Sequence, residues 1–309
     1  MRARLRSGHA GAGQMIPIAR QSSETLLETV GSHLYVRELG SGRPIVVLHG
    51  GPDFDHEYLL PDLDRLADLG RLVYYDQRGR GRSFSGETPD DVTIESEMAD
   101  LDHVRAWTGS PSVALIGHSW GTVLALEYAL RHQERVSHLI LLNAAPATHA
   151  DFLAFREHLG RNRSPERRDR MAALSTDPAY LAGDTAKDAE YHRLHFATAL
   201  SRPERLEGII RRLRRGFTAE SIVAARAIED GLYDQTWRRK DFDLLARLPD
   251  LDVPTLLLHG DRDLIPISVA RHIEEAIPES RLVVLPDCGH FAFLEQPESV
   301  HVAIAGHLS

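Results

Sequence analysis

The residue with the clearest chemical potential is Ser119, at the centre of Gly117-His118-Ser119-Trp120-Gly121. The pentapeptide closes a short apolar run, 112–116, and opens a helical pattern over 122–130. A serine on a tight strand-to-helix turn, with glycines two residues before and after it, presents one exposed hydroxyl at a sheet edge. Such a hydroxyl is a weak nucleophile until an imidazole takes its proton, and that imidazole needs an acid to fix its tautomer and stabilise its charged form. Two later loops offer the missing groups. Gly260-Asp261-Arg262-Asp263 follows an apolar strand at 255–258, and Gly289-His290 follows another at 281–285. His290 is the expected base. Asp263, further from its strand and anchored by Leu264-Ile265-Pro266, is the expected acid, which leaves Asp261 as a turn or salt-bridge residue. His118 is expected to be structural, with its side chain turned away from Ser119.

Acyl transfer through a serine places negative charge on one oxygen, which two backbone N–H groups can meet. The amide of Trp120, first in the helix after the serine, is one expected donor. The other is expected from the turn His49-Gly50-Gly51-Pro52 that follows the apolar strand 45–48: Gly51 by preference, with Gly50 as the less favoured donor and a second position near substrate. Nothing in this chemistry requires a metal or an organic cofactor. The single cysteine, Cys288, has no partner for a zinc site and reads as a small packed side chain. Gly79 and Gly81, in the run that begins Asp76-Gln77-Arg78-Gly79, have no following lysine and do not form a phosphate-binding loop. Asp76 and Arg78 are expected to tie loops together near the active edge.

The elements that must position these groups follow a βαβ rhythm, which implies a mainly parallel sheet. Two extended runs, 26–30 and 33–38, read as an edge hairpin. Strand 45–48, a helix at 58–69, strand 72–75, a helix at 94–107, the strand before Ser119 and strand 136–142 come next. From about 146 to 248 the pattern is helical, polar and rich in arginine, as in an inserted lid. Sheet rhythm then resumes with strand 255–258, a helix at 267–277, strand 281–285 and a last helix at 297–308. The expected organisation is a tail at 1–24, an α/β core at 25–145 and 249–309, and a helical lid at 146–248.

With 45 acidic and 36 basic residues among 309, the formal net charge is −9, so no global field favours nucleic acid or an anionic membrane. The basic clusters at 161–170 and 211–215 are expected to be solvated helix faces, since neither is interleaved with aromatics. One cysteine rules out an intrachain disulfide, and no apolar run approaches membrane-spanning length. A cytoplasmic protein is expected, and homo-oligomer formation is left open.

Taken together, the turn His49-Gly50-Gly51-Pro52, the run from Asp76 to Ser83, the serine pentapeptide, Gly260-Asp261-Arg262-Asp263 and Gly289-His290 resemble the α/β-hydrolase superfamily, and within it the proline iminopeptidase group. The order Ser119, Asp263, His290 matches that superfamily's order of nucleophile, acid and base. The resemblance implies a mostly parallel, eight-stranded sheet flanked by helices. It also implies release of an N-terminal residue, preferably proline, from small peptides, with lid carboxylates holding the free amino group. Glu229 resembles one such carboxylate. Asp53 departs from the pattern, standing where the group often has glycine. No second lid glutamate is evident around 190–196, and Glu190, Glu204 and Glu207 are the available substitutes. A carboxylesterase or lactonase acting on small esters is the alternative, and a non-catalytic binder with the same fold is a third reading of another class.

Overall fold

The computed structural model describes residues 22–309, so most of the expected tail lies outside the described residues. Ser22 to Glu24 are not tail: they begin the first strand. The elements run β1 (Ser22–Thr29), β2 (Ser32–Leu39), β3 (Pro44–Leu48), β4 (Arg71–Tyr75), α1 (Ile94–Trp107), β5 (Val113–His118), α2 (Trp120–Arg131) and β6 (Val136–Leu142). Six lid helices follow, α3 (His149–Asn162), α4 (Pro165–Ser175), α5 (Pro178–Leu181), α6 (Thr185–Phe196), α7 (Leu206–Leu213) and α8 (Ala219–Gln235). The chain closes with β7 (Thr255–Gly260), α9 (Ile267–Ala276), β8 (Ser280–Leu285), α10 (Ala292–Glu295) and α11 (Pro297–Leu308).

The eight strands form one sheet in the order β1-β2-β4-β3-β5-β6-β7-β8. Only the β1–β2 and β2–β4 pairings are antiparallel; the remaining strands are parallel. Helices cover both faces of such a sheet, and its central strands are accordingly buried along their whole length: β3, β5 and β7 expose no residue. Parallel pairing also carries the ends of β3, β5, β6, β7 and β8 to one edge, where open α/β sheets bind ligands.

Local chemistry sets the helix starts. Thr93 caps α1 in a reciprocal capping box with Ser96, Ser164 caps α4 ahead of Pro165, and Thr218 caps α8 with Ser221. The expected helix at 58–69 is instead two 3₁₀ segments, His56–Leu59 and Asp62–Asp68. Pro61 is the cause: the residue before a proline is pushed out of the helical region, and Leu60 is extended with ψ 150°. Among the described residues no helix is long and apolar enough to cross a membrane.

Candidate active site

Ser119 sits between β5 and α2 with φ 53° and ψ −121°, a left-handed conformation uncommon for a residue with a side chain. The turn is tight enough to demand its glycines. A Cβ on Gly117 would lie 2.5 Å from the Gly121 carbonyl oxygen, and one on Gly121 would lie 2.3 Å from that of Leu48. The strained turn is held from β6, where the Leu142 carbonyl accepts the Ser119 N–H at 3.0 Å.

His290 Nδ1–H donates to Asp263 Oδ1 at 2.8 Å, and both residues are buried. Asp263 also accepts the Ile265 N–H on Oδ1 at 2.9 Å and Asn143 Nδ2–H on Oδ2 at 2.7 Å. Burial alone would raise the Asp263 pKa. The imidazoles of His290 and His259, with the hydrogen bonds from His290 and Ile265, outweigh it and hold the carboxyl below the usual carboxylate range. Asp261 takes no part in this cluster; it is exposed and accepts the Cys288 N–H at 3.2 Å. Asn143, at the end of β6 with φ 50°, is a positioning residue that sequence reasoning missed. An asparagine directly after a strand at the active edge was the available signal. Burial raises the Cys288 thiol pKa, which leaves it a packed thiol. Ser119 Oγ makes no hydrogen bond among the described residues, but Ser119 and His290 line the same cavity. Nucleophile–base contacts are often loose before substrate arrives.

The turn after β3 is locked by His49. Its Nδ1–H donates to the Gly50 carbonyl at 2.9 Å, while its Nε2 accepts the Gln77 N–H at 3.0 Å. Since a trans peptide unit points its C=O and N–H in opposite directions, anchoring the Gly50 carbonyl on His49 turns the Gly51 N–H away from it. Gly51 lines the cavity with Ser119. Gly50 does not: its N–H donates to the Tyr58 hydroxyl at 2.7 Å, so its amide is occupied. Trp120 opens α2, where backbone N–H groups lack intrahelical acceptors. Behind the turn, Gln77 Nε2–H donates to the His49 carbonyl and Arg80 ties Gln77 to the buried Glu97. Arg78 grips Asp100 with two nitrogens, and Asp76 holds His56 at 2.6 Å. The arginine-rich segment is thus scaffold for the active edge.

Tyr58 passes this order on to the turn of Ser119 and to His290. Its hydroxyl donates to His118 Nδ1 at 2.7 Å, and His118 Nε2–H donates to the His290 carbonyl at 2.9 Å. Burial, with the neighbouring His290, pushes the His118 pKa down to about 3, so the imidazole stays neutral in the tautomer this chain needs. One continuous path therefore joins the glycine turn, the residue before Ser119 and the backbone of His290. Tyr58→Phe keeps the packing but strands the Gly50 N–H and His118 Nδ1. It should cost about 2–4 kcal/mol in urea unfolding; an unchanged midpoint would show that the path holds nothing together.

The cavity has a volume of about 630 Å³ and is walled by Ser119, His290, Gly51 and lid side chains. Glu229 reaches it from α8, half-buried and accepting the Tyr233 hydroxyl at 2.7 Å. Burial raises its pKa against the lowering pull of Tyr233 and Arg214. Glu190, Glu204 and Glu207 do not line the cavity: Glu190 pairs with Arg170 at 2.6 Å and Glu207 with Arg193 at 2.5 Å, and Glu204 is exposed. The basic clusters need correction, because they are not uniformly solvated. Arg214 is buried and pairs with Asp53, and Arg163 is half-buried and lines the cavity. Asp53 thereby gains a role as the link from the glycine turn to the lid. The partners stand 161 residues apart in sequence, beyond the reach of local pattern.

Residues 43–297 match the family described as the alpha/beta hydrolase fold. The chain belongs to the α/β-hydrolase family. This α/β-hydrolase is 30% identical over 273 residues to a proline iminopeptidase of Saccharolobus solfataricus, covering 85% of this chain and 83% of that protein. The fold is shared with a proline iminopeptidase of Mycobacterium smegmatis, at TM-score 0.69 and 23% identity over 93% of this chain and 97% of the other. A thermophilic esterase from Thermogutta terrifontis superposes at TM-score 0.66 and 26% identity, over 93% and 98%. The proline-iminopeptidase-like resemblance thus extends over most of the chain, while the same fold also carries esterases.

Proposed function

We propose that this α/β-hydrolase is a serine hydrolase working through an acyl-enzyme, and that it releases an N-terminal residue from small peptides. The observation that carries the chemistry is the buried His290–Asp263 pair opening on the cavity that Ser119 enters. In this reading His290 takes the Ser119 proton as Oγ attacks the carbonyl. The N–H groups of Trp120 and Gly51 receive the charge that develops on oxygen, and His290 then gives its proton to the leaving amine. Water attacks the acyl-enzyme with His290 again as base, returning Ser119.

Glu229 supports the aminopeptidase choice. A half-buried carboxylate that lines the cavity and whose hydrogen-bond partner is a tyrosine hydroxyl suits a substrate ammonium, and that pairing disfavours substrates blocked at the amine. Likeness to an esterase at 26% identity favours the second reading, hydrolysis of small esters. A prolyl arylamide, its N-acetylated form and a short acyl aryl ester separate the two. The expected result is cleavage of the free-amine arylamide that N-acetylation suppresses at least a hundredfold, with Glu229→Gln raising KM about tenfold or more. Cleavage of the ester alone would select the second reading.

A further inference from the structure

Arginine is unusually frequent around the cavity: Arg156, Arg163, Arg214, Arg226 and Arg238 all reach its lining. Three have carboxylate partners. Arg214 meets Asp53, Arg226 meets Asp188, and Arg238 meets Asp230 at 2.6 Å and Asp234 at 3.0 Å. Arg156, exposed, lies over the Phe152 ring at 5.8 Å. Arg163 differs from all of these. Among the described residues no carboxylate stands within ion-pair distance of it; its Nη2–H donates to His195 Nδ1 at 3.0 Å, and its Nε is buried without an acceptor. A guanidinium drawn out of water normally has an anion to offset the desolvation. Burial lowers its pKa, as the missing anion would lead one to expect. Because His195 accepts at Nδ1, its ring proton lies on Nε2, so the pair offers donors alone. Glu229 is the complementary case, a lining carboxylate with no cation in ion-pair contact among the described residues.

Aromatic contacts link each of these two charges to the reaction centre. From His290, aromatic contacts lead through Phe196 at 6.5 Å and on to His195 at 4.7 Å, which touches Arg163. From Trp120, the contact runs to Tyr233 at 6.2 Å, whose hydroxyl holds Glu229. A leaving amine takes its proton from the base and so departs beside His290, to which Arg163 is linked through His195 and Phe196.

We propose that Arg163, with His195, forms a subsite for a carboxylate on the leaving group, so that the substrate is a di- or tripeptide with a free C-terminus. The assignment rests on the aminopeptidase reading and narrows it: Glu229 takes the ammonium end and Arg163 the carboxylate end. A planar guanidinium can hold a carboxylate through two parallel N–H donors, and a site built this way penalises a ligand lacking the acceptor charge.

The test compares kcat/KM for prolylalanine, its C-terminal amide and a prolyl arylamide, using the full chain. The unmodified protein should prefer the acid over the amide by about ten- to a hundredfold, mostly through KM. Arg163→Met should bring that ratio to within about threefold of unity, and Arg163→Lys should leave an intermediate ratio, because an ammonium keeps the charge without the fork. The acid-to-amide comparison in the unmodified protein needs no variant and stands even if a substitution impairs folding. Equal cleavage of acid and amide would overturn the carboxylate subsite while arylamide cleavage kept the aminopeptidase reading intact. An acid preference that persists in Arg163→Met would overturn the assignment to Arg163. Failure to cleave the arylamide and both peptides would overturn subsite and aminopeptidase reading together.

Discussion

Replacing Ser119 by alanine should reduce kcat by about a millionfold and abolish covalent labelling by a fluorophosphonate probe. The size follows from the proposed chemistry, since the attacking Oγ is the atom removed and the residual amides and pocket can only hold substrate for attack by water. Stability should respond in the opposite manner. Ser119 Oγ has no hydrogen-bond partner among the described residues, and the backbone at φ 53° is as strained for alanine as for serine. The unfolding free energy should therefore stay within about 0.5 kcal/mol of the parent. Loss of activity with an unchanged urea midpoint separates chemistry from folding. Retention of more than one part in a hundred of the activity in Ser119→Ala would remove this serine from the reaction.

Much of the scaffold around that serine could be read from local pattern because it is locally determined. The ends of α1, β6 and α11 fall at the expected residues, where a capping box, the apolar run from Leu139 to Leu142 and a proline at the first helical turn each act within a few positions. The segment after the glycine turn departs from the expected helix for an equally local reason, since Pro61 outweighs the apolar spacing around it. Contacts across the molecule were not legible. Nothing near Arg214 in sequence indicates that it will be buried against Asp53, and nothing near Arg163 shows that it will turn towards the cavity while Arg161, Arg168 and Arg170 remain in solvent. The path from Gly50 through Tyr58 and His118 to His290 is of the same kind. Each member is an ordinary residue whose importance arises when strands distant in sequence end at one edge.

Asp263→Asn should be the most informative change after the serine, lowering kcat by about a thousand- to ten-thousandfold while Ser119 and His290 stay in place. Each oxygen of Asp263 is used as an acceptor: Oδ1 by His290 and the Ile265 N–H, Oδ2 by Asn143. An asparagine must point its NH₂ at one of these two sets. Facing His290, it forces the proton of the imidazole onto Nε2, where the base should be free to receive the serine proton. Facing Asn143, it meets another NH₂, which can be relieved only if Asn143 turns and gives up its bond to the Gly289 carbonyl at 3.1 Å beside the base. In either arrangement the negative charge that steadies the imidazolium is gone. The depressed pKa of Asp263 also links it to acid stability. That contribution is present above the unfolded carboxylate value of about 3.9 and is lost as pH falls towards the lower folded value. The variant's unfolding free energy should therefore change less than the parent's between pH 5 and pH 3, values set on the order of that unfolded pKa. Since the proposed chemistry uses the three side chains as one unit, Ser119→Ala combined with Asp263→Asn should be no slower than Ser119→Ala alone. A further multiplicative loss in the double variant would mean that Asp263 contributes by a route that does not pass through Ser119.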